Sequence, residues 1–489
     1  MLRRIGLVCA AAIVSGVGGC GDGGGEGNPS TDGSTGGTES TTVTTATTNP
    51  SSTTASTTTS PSSTSVDPDS TGTDDTGPPA DTPILDRLTV VDLVVPEGVA
   101  AGVGNWRVWG IGALNVAPMF TVPLGNCETL VGYTSSGSGI TARVAHVGTD
   151  DTLIDVLDLA PGLELRGLAA EDDGHFGALV WDPTAQQIWV RRYDLTGTEL
   201  WSTELTNPDN HPTDFGIGDS RLEYGGGRYG AYYHVHSDSG HEGDTLKWVD
   251  TAGVEQTAWG WGCSHSMSNV LRYQPANDHI VSMCVTDCYP GTNGDFATQS
   301  IGGIYVDGGA TKIIDVAAGC NGSVAGELGS GAVTPTGWNA VFNAHQAPAG
   351  LGQSSYDLAS MNQDIGFSTI AGDLTTGAVV WLTNTPAINE DDSSIARWLP
   401  EGDDAEQYLV GWHEPDPAAT WWLARVDAAG TFLEGPVDAT GMAAWGRRDD
   451  PFRPHPGGDV GWSWFDMPGS TTLHVARVDA GGAPSCQGF

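Results

Sequence analysis

Residues Arg425-Val426-Asp427-Ala428-Ala429-Gly430 read as the end of a β-strand followed by a tight turn. The aspartate side chain can bond the backbone just ahead of it, and the glycine tolerates a positive φ. The same phrase returns at five other places and, in a degraded form, at 146–150. Its six aspartates, spaced 56, 57, 66, 54 and 52 residues apart, are Asp194, Asp250, Asp307, Asp373, Asp427 and Asp479. A recurrence near 50 residues indicates a repeat architecture.

A second run, usually aliphatic with an aromatic residue near its end, precedes each phrase and is typical of a buried strand. These runs are 130–133, 178–181, 231–233, 280–283, 340–342, 409–412 and 460–462. Seven small antiparallel sheets cannot cover their own faces, whereas a ring of them can. We therefore predict an all-β fold, a seven-bladed β-propeller. A strand near Leu88–Val95 would complete the last blade, because the seventh unit stops soon after Asp479.

The N-terminal residues have the character of a secretory signal. An apolar run follows Arg3 and Arg4, closes on small residues, and is too short to span a bilayer. Its tail, Val17-Gly18-Gly19-Cys20, resembles the lipobox of bacterial lipoproteins. The resemblance implies that residues 1–19 are a signal peptide and that an acylated Cys20 holds the protein in a lipid bilayer. It also implies an extracytoplasmic location, at the outer membrane or cell surface. An ordinary signal peptide followed by a chance cysteine is the alternative.

The segment after Cys20 lacks the side chains that build a core. Of the 55 residues from 28 to 82, 30 are Ser or Thr, and none is Leu, Ile, Met, Lys, Arg or aromatic. Such a composition predicts a disordered tether over residues 20–82. All 17 Trp residues lie in the remainder, so we assign residues 83–489 to the propeller domain.

The charge of the chain restricts its partners. The formal net charge is −41, and 51 acidic side chains face 17 basic ones after residue 82. Nucleic acid is therefore excluded as a partner. We interpret the excess of acids as a source of solubility.

Cysteine usage suits an oxidising compartment. Apart from Cys9 in the signal and Cys20, six cysteines remain, enough for three disulfides. These candidates are Cys127, Cys263, Cys284, Cys288, Cys320 and Cys486. We expect two disulfides among the middle four, because the proposed blades bring them to one place; the sequence does not define the connectivity.

Two units also resemble a known repeat. Residues 194–201 and 373–381 are similar to the Asp-x-x-Thr-Gly plus Trp repeat of quinoprotein-like propellers, a group of dehydrogenases and lipoprotein assembly scaffolds. The dehydrogenases use a vicinal disulfide near the quinone, and this chain has no Cys-Cys pair. We therefore predict no cofactor.

The repeat also suggests which face binds. If the aromatic run is the second strand of a blade (B) and the Asp phrase ends the third (C), the B–C and D–A connections share one face. The B–C connections look enlarged at about 235–244, 286–300 and 343–364, which favours a recognition surface there. We place the string Trp259–Asn269 on a D–A connection, and Cys284 and Cys288 in a B–C loop. The candidate binding residues are His211, Asp214, Trp259, Trp261, His265, Tyr289, His345, Trp445 and Arg448. The Trp residues could equally pack between blades.

Metal and catalytic patterns are weak, and we predict neither a metal ligand nor a catalytic residue. His234 and His236 with His241 and His265 could bind zinc or copper, and acidic pairs such as Asp172-Asp173, Asp403-Asp404 and Asp449-Asp450 could bind calcium. A hydrolase would use Ser264 or Ser266 with His265, and a glycosidase would use Asp214 with Asp449.

The sequence thus favours a surface-anchored lipoprotein whose propeller binds a protein or glycan through one rim. The alternatives are a secreted propeller enzyme, glycan-cleaving or metal-dependent, and an envelope-assembly scaffold.

Overall fold

The computed structural model places the core of the chain in seven antiparallel sheets of four strands each. It describes residues 82–102, 116–205, 217–236, 242–264, 268–288, 300–314, 325–344, 363–385, 388–400, 405–445, 451–481 and 486. Cys20 and the segment up to residue 81 lie outside the described residues, as do the candidates His211, Asp214, His265, Tyr289, His345 and Arg448.

The strands follow one another as blades along the chain. A short helix, α1 (Ile84–Arg87), leads into β1 (Leu88–Val94). Blade 1 contains β2 (Phe120–Pro123), β3 (Thr129–Ser135), β4 (Thr141–Val147) and β5 (Leu153–Pro161). Blade 2 contains β6 (Glu164–Ala170), β7 (His175–Asp182), β8 (Gln187–Asp194) and β9 (Glu199–Glu204). Blade 3 contains β10 (Arg221–Gly225), β11 (Arg228–His236), β12 (Glu242–Asp250) and β13 (Glu255–Ser264).

The second half of the ring repeats this order. Blade 4 contains β14 (Ser268–Gln274), β15 (His279–Cys288), β16 (Ser300–Val306) and β17 (Thr311–Ile314). Blade 5 contains β18 (Ala325–Thr334), β19 (Gly337–Ala344), β20 (Asp364–Ala371) and β21 (Val380–Trp381). Blade 6 contains β22 (Asp391–Trp398), β23 (Gln407–Glu414), β24 (Thr420–Asp427) and β25 (Phe432–Asp438). Blade 7 contains β26 (Arg453–Pro454), β27 (Val460–Trp464) and β28 (Thr472–Val478).

The seventh blade takes its outer strand from the other end of the chain. β1 pairs antiparallel with β28, from Leu88 opposite Val478 to Val94 opposite Thr472. The first strands of the blades contact one another in a closed cycle, β2-β6-β10-β14-β18-β22-β26 and back to β2. The prediction of a seven-bladed propeller closed by an N-terminal strand is therefore confirmed.

The hydrophobic core lies between the blades. Seven clusters of buried side chains each join two neighbouring blades, so every blade packs on both sides. Blades 6 and 7, for example, meet through Trp398, Trp445, Phe452 and Trp462, each at most 3% exposed. Burying aromatic side chains contributes most of the favourable free energy in such an interface.

The repeated phrase forms the turn between strands C and D. In blade 6, Asp427 Oδ1 accepts hydrogen bonds from the Ala429 and Thr431 N–H groups at 2.9 and 2.8 Å, and Gly430 has a φ of 78°. The turns at Asp194 and Asp250 repeat this geometry. In blade 5 strand C ends at Ala371, so Asp373 lies inside the turn rather than at the strand end.

Three expectations about connections are wrong. The B–C connection of blade 3 is only 237–241, no longer than 136–140 in blade 1, because β11 and β12 extend into the span that we assigned to a loop. Cys284 and Cys288 lie in β15, strand B of blade 4, because that strand continues to residue 288. Trp259 and Trp261 similarly belong to β13, strand D of blade 3, so that D–A connection is limited to 265–267.

Among the described residues, no helix has the length and apolar character needed to cross a membrane.

Candidate functional site

Every blade presents two kinds of edge. We call the side carrying the B–C and D–A connections the loop face, and the side carrying the A–B and C–D turns the turn face. A–B and C–D connections have at most eight residues, as in 399–406, whereas 289–299, 345–363 and 439–452 on the loop face are longer. The variable part of the molecule is therefore on the loop face.

On the loop face of blade 6, an imidazole stacks on an indole. His413 at the end of β23 lies opposite Trp421 at the start of β24, with ring centroids 4.1 Å apart and planes 21° apart. Asp391 Oδ1 lies 2.9 Å from His413 Nδ1, and Asp392 Oδ2 lies 3.9 Å from it. The Trp421 ring also contacts the edge of Trp445 at 4.5 Å. This edge combines an aromatic surface with carboxylate acceptors.

Blade 7 repeats the pair with the residue types exchanged between the strands. Trp464 ends β27 and lies opposite His474 in β28, with ring centroids 4.8 Å apart. Asp92 binds the Nδ1 atom of His474 at 2.7 Å, and Asp466 binds its Nε2 atom at 3.1 Å. Neither pair was predicted from the sequence, because the aromatic runs recognised there end at Trp412 and Trp462. Continuing each run by two residues, to the strand end, would have included His413 and Trp464.

A buried carboxyl group lies beside blade 6. Glu390 accepts a hydrogen bond from the Thr385 hydroxyl at 2.9 Å, and the Thr383 hydroxyl also contacts it. Burial raises the pKa of Glu390 to about 7, and the charges of Asp364 and Glu414 act in the same direction. Because Glu390 is fully buried, no substrate can reach it without a change in structure.

A small cavity lies among the inner strands of the ring. The inner strands of five blades, through residues that include Phe120, Leu222 and Arg272, enclose a cavity of only about 20 Å³. Arg453 of blade 7 reaches Glu223 of blade 3, with 3.4 Å between Nη2 and Oε2. A cavity of this size holds about one water molecule and no substrate.

Two wider cavities open on the turn face. One, of about 440 Å³, lies among the A–B turns of blades 4 to 7 and includes Leu399 and His455. The other, of about 400 Å³, lies between blades 5 and 6 and shares Thr334 with the first. Both have the size of small-ligand sites, and the sequence analysis did not predict them.

The described candidate aromatics pack inside the propeller. Trp445 is 3% exposed and donates a hydrogen bond from Nε1 to the Asp392 carbonyl, as the alternative of packing between blades predicts. Its indole ring fills the space between blades 6 and 7, where burying an aromatic surface is more favourable than leaving it in water. Trp259 is half-buried in mid-strand, with its ring against the edge of Tyr232 at 5.8 Å. Trp261 lies in the same strand, and its side chain is outside the described part.

The histidine and acidic patterns have structural roles where they are described. His234 is buried and lies 2.9 Å from Asp244 through Nδ1 and Oδ1. Near Asp172-Asp173, the cluster Glu171, Asp173 and His175 has metal-ligand spacing. Glu171, however, binds the Arg192 guanidinium at 2.6 and 2.8 Å. The side chains of His236 and Ser264, and residues His241, Ser266, Asp403-Asp404 and Asp449-Asp450, lie outside the described part.

Two disulfides are present among the described cysteines. Cys263 of β13 is bonded to Cys284 of β15 and joins blades 3 and 4, which agrees with the expected pinning of this region. Cys127, in the A–B turn of blade 1, is bonded to Cys486 beyond β28. The Cys288 side chain and Cys320 lie outside the described residues. Structural disulfides are typical of extracytoplasmic proteins.

The fold and its sheets define the chain as a seven-bladed β-propeller. No protein-family model matches the chain, and no curated protein matches it in sequence.

Several solved structures are distantly similar. A prolyl endopeptidase aligns with 74% of this chain at 13% identity and a TM-score of 0.40, and the chain covers 47% of its length. An α-L-arabinanase of Penicillium chrysogenum aligns with 80% of this chain at 10% identity and a TM-score of 0.38, and the alignment covers 99% of the arabinanase. The soluble aldose sugar dehydrogenase of Escherichia coli aligns with 65% of this chain at 12% identity and a TM-score of 0.33, and the alignment covers 96% of the dehydrogenase. Likeness at this level carries no argument about function.

Proposed function

We propose that this protein is an extracytoplasmic recognition lipoprotein whose loop face binds a glycan or a protein. In this proposal the acylated Cys20 anchors the chain in a bilayer, at the outer membrane or cell surface. Residues 20–82 then hold the propeller away from that surface.

One observation carries the proposal: all connections longer than eight residues that the strands delimit lie on the loop face. Hydrogen bonds of the Asp427 type recur in the C–D turns of blades 2, 3 and 6, whereas the B–C and D–A connections differ in length from blade to blade. Recognition residues concentrate on variable loops held by a rigid scaffold. The two longest B–C connections, 289–299 and 345–363, belong to neighbouring blades 4 and 5, whose loop-face ends define one sector of that face.

The chemistry at the edge of that sector suits a glycan. Trp421 is partly exposed and presents an indole ring beside the carboxylate of Asp391. Indole rings stack on the apolar faces of sugars, and carboxylates accept hydrogen bonds from hydroxyl groups. A peptide rich in aromatic or basic side chains would use the same groups.

An enzyme has less support among the described residues. The strongly shifted groups are buried and scattered, with Glu390 beside blade 6 and His455 in blade 7. A catalytic site normally gathers such groups in one open cleft.

Binding assays on the domain from residue 83 test the proposal. Glycan-array and pull-down screens would identify the ligand, and two variants would then locate it. The first variant combines Trp421→Ala with a short Gly-Ser linker in place of residues 345–362. Its affinity for the ligand should fall at least about tenfold, because the loss of one aromatic contact costs roughly 1.4 kcal/mol. Leu399→Asp, on the turn face, should leave the affinity unchanged. The reverse pattern would assign binding to the turn-face cavity and contradict the proposal.

The anchor has its own test. Mass spectrometry of the mature protein should find an acylated Cys20 as its first residue. An unmodified Cys20, or cleavage elsewhere, would show that the protein is secreted without a lipid anchor.

A further inference from the structure

The smaller of the two turn-face cavities lies between blades 5 and 6 and has a volume of about 400 Å³. Blade 5 contributes its A–B turn, the turn-face ends of β19 and β20, and its C–D turn, whereas blade 6 contributes Glu406, Tyr408 and Ala428. Sites for small molecules usually measure about 300–1,000 Å³. The cavity is on the face opposite the proposed recognition surface, so its lining belongs to no site described so far.

A buried amide without a partner faces this cavity. Asn339 of β19 is 2% exposed, and its Nδ2 atom has no hydrogen-bond partner in the described part of the chain. In the same strand Trp338 packs toward blade 4, whereas Val341 packs toward blade 6. Because side chains alternate along a strand, Asn339 also points toward blade 6 and the cavity. Buried polar atoms nearly always have a partner, so an occupant that offers an acceptor oxygen is expected there.

Hydroxyl groups lie beside this amide. Thr369 of β20 is directly opposite Asn339 in the sheet, so the two side chains share one face. A Cβ atom at Gly377 would lie 2.3 Å from Thr369 Oγ1, so glycine at this position leaves room for the hydroxyl. Further hydroxyl groups come from Thr334, Thr336 and Thr375. The cavity therefore offers several uncharged donors and acceptors close to one another.

The charge around the cavity is balanced. Glu406 accepts a hydrogen bond from the Tyr408 hydroxyl, and its Oε1 atom lies 3.5 Å from Arg397 Nε. Among the described residues that line the cavity there is no Lys, Arg or His. An anionic ligand would find no cation in this lining, and a cationic ligand would have to compete with Arg397 for Glu406. Because an unpaired charge is costly to remove from water, the lining favours a neutral ligand.

Apolar groups lie among these polar ones, with Ala371 and Ala428 at the cavity wall. A sugar ring has the matching composition, since it carries hydroxyl groups around its edge and C–H groups on its faces. We propose that this cavity binds a neutral sugar of one or two rings, with Asn339, Thr369 and Glu406 bonding its oxygens. This inference goes beyond the proposed recognition function and does not depend on it.

Titration calorimetry of the full chain with glucose, galactose, maltose and cellobiose tests the site. At least one of these sugars should bind saturably, with one turn-face site per chain. The uronic acid of the same sugar should bind at least about tenfold more weakly, because its carboxylate would lie near Glu406 without a cation in the lining.

Two variants locate the sugar. Asn339→Leu should weaken binding at least about tenfold, whereas the melting temperature without sugar should stay the same or rise, because a buried polar group without a partner is removed. A purely structural role of Asn339 would give the opposite change in melting temperature. Thr369→Val, at an exposed position, should weaken binding similarly. Thr420→Val, on the loop face of blade 6, is the matched control and should bind as the unmodified protein does.

Three outcomes would overturn the proposal. Saturable binding of none of the four sugars would mean that the cavity holds water only. Binding that both Asn339→Leu and Thr369→Val leave intact would exclude the cavity, and a simultaneous loss in Thr420→Val would move the sugar to the loop face, in favour of the recognition function alone. Equal affinity for the uronic acid would contradict the selection of a neutral ligand.

Discussion

At the scale of single residues, the C–D turn shows why its phrase repeats. Its aspartate accepts hydrogen bonds from the backbone N–H groups two and four residues ahead. In blade 2 the hydrogen bond from the Thr196 hydroxyl, together with these backbone bonds, lowers the pKa of Asp194. Its glycine adopts a positive φ and lies against the preceding blade. A Cβ at Gly430 would be 2.9 Å from Phe367 of blade 5. One residue thus serves both the turn and the interface between blades.

Replacing Gly430 should lower the free energy of unfolding by more than its positive φ alone predicts. Gly430→Ala should lower the free energy of unfolding by about 2–4 kcal/mol, since backbone strain and a clash add together. Gly441→Ala is the control, because Gly441 has the same φ of 78° and no atom within 4 Å of its Cβ position. The free energy of unfolding of Gly441→Ala, measured by urea titration, should fall by only about 1 kcal/mol. Equal losses would show that the contact with Phe367 is unimportant.

His455 predicts a pH dependence of stability. Burial lowers the pKa of His455 well below its usual value, and Arg477 and Arg453 act in the same direction. The imidazole is therefore neutral in the native state and takes up a proton on unfolding below about pH 6.5. The free energy of unfolding should fall as the pH drops from 6.5 to 5.

His455→Gln keeps an acceptor for Arg477 and cannot titrate. Its free energy of unfolding, followed by urea titration across the same pH range, should decline less steeply than that of the unmodified protein. Parallel pH curves for the two proteins would contradict the prediction.

At the scale of elements, local patterns predicted the blades and not their rims. The runs ending at Tyr133, Trp181 and Trp412 are strand B in their blades, and the Asp phrases follow strand C, because both depend on local hydrogen bonding and alternation. The partner of Trp445 could not be predicted, since burial there depends on Phe452 and Trp462 in the next blade.

The two disulfides constrain very different lengths of chain. Cys127 and Cys486 are 359 residues apart, whereas Cys263 and Cys284 are 21 apart. In the chain-entropy view the longer loop stabilises more, by about 2.5 kcal/mol. Unfolding of Cys127→Ala/Cys486→Ala in guanidinium should therefore show a larger loss than that of Cys263→Ala/Cys284→Ala. An equal or reversed order would show that local packing outweighs loop entropy.

At the scale of the molecule, closure of the ring depends on the pairing of β1 with β28, which we call the seam. β1 supplies the outer strand of blade 7, and its residues join two interfaces: Leu88 packs between blades 6 and 7, and Leu93 between blades 7 and 1. Without β1, an edge of β28 would lie open to other chains.

Two truncations test the seam. A chain beginning at residue 82 should melt like the full chain, because it retains β1. A chain beginning at residue 97 should lose at least about 4 kcal/mol, the burial of two leucines, and should associate through the open edge. Calorimetry and size-exclusion chromatography measure both effects. Identical melting of the two truncations would mean that β1 does not hold the ring together.

The position of β1 also has a mechanical consequence. Tension applied through the residues before Thr82 reaches the propeller first at the strand that closes it, and the β1–β28 hydrogen bonds bear the load. The opposite end of the chain is fastened to blade 1 by Cys127–Cys486, so pulling on one terminus does not free the other. Under such tension, the pairing of β1 with β28 is where we expect the ring to open first.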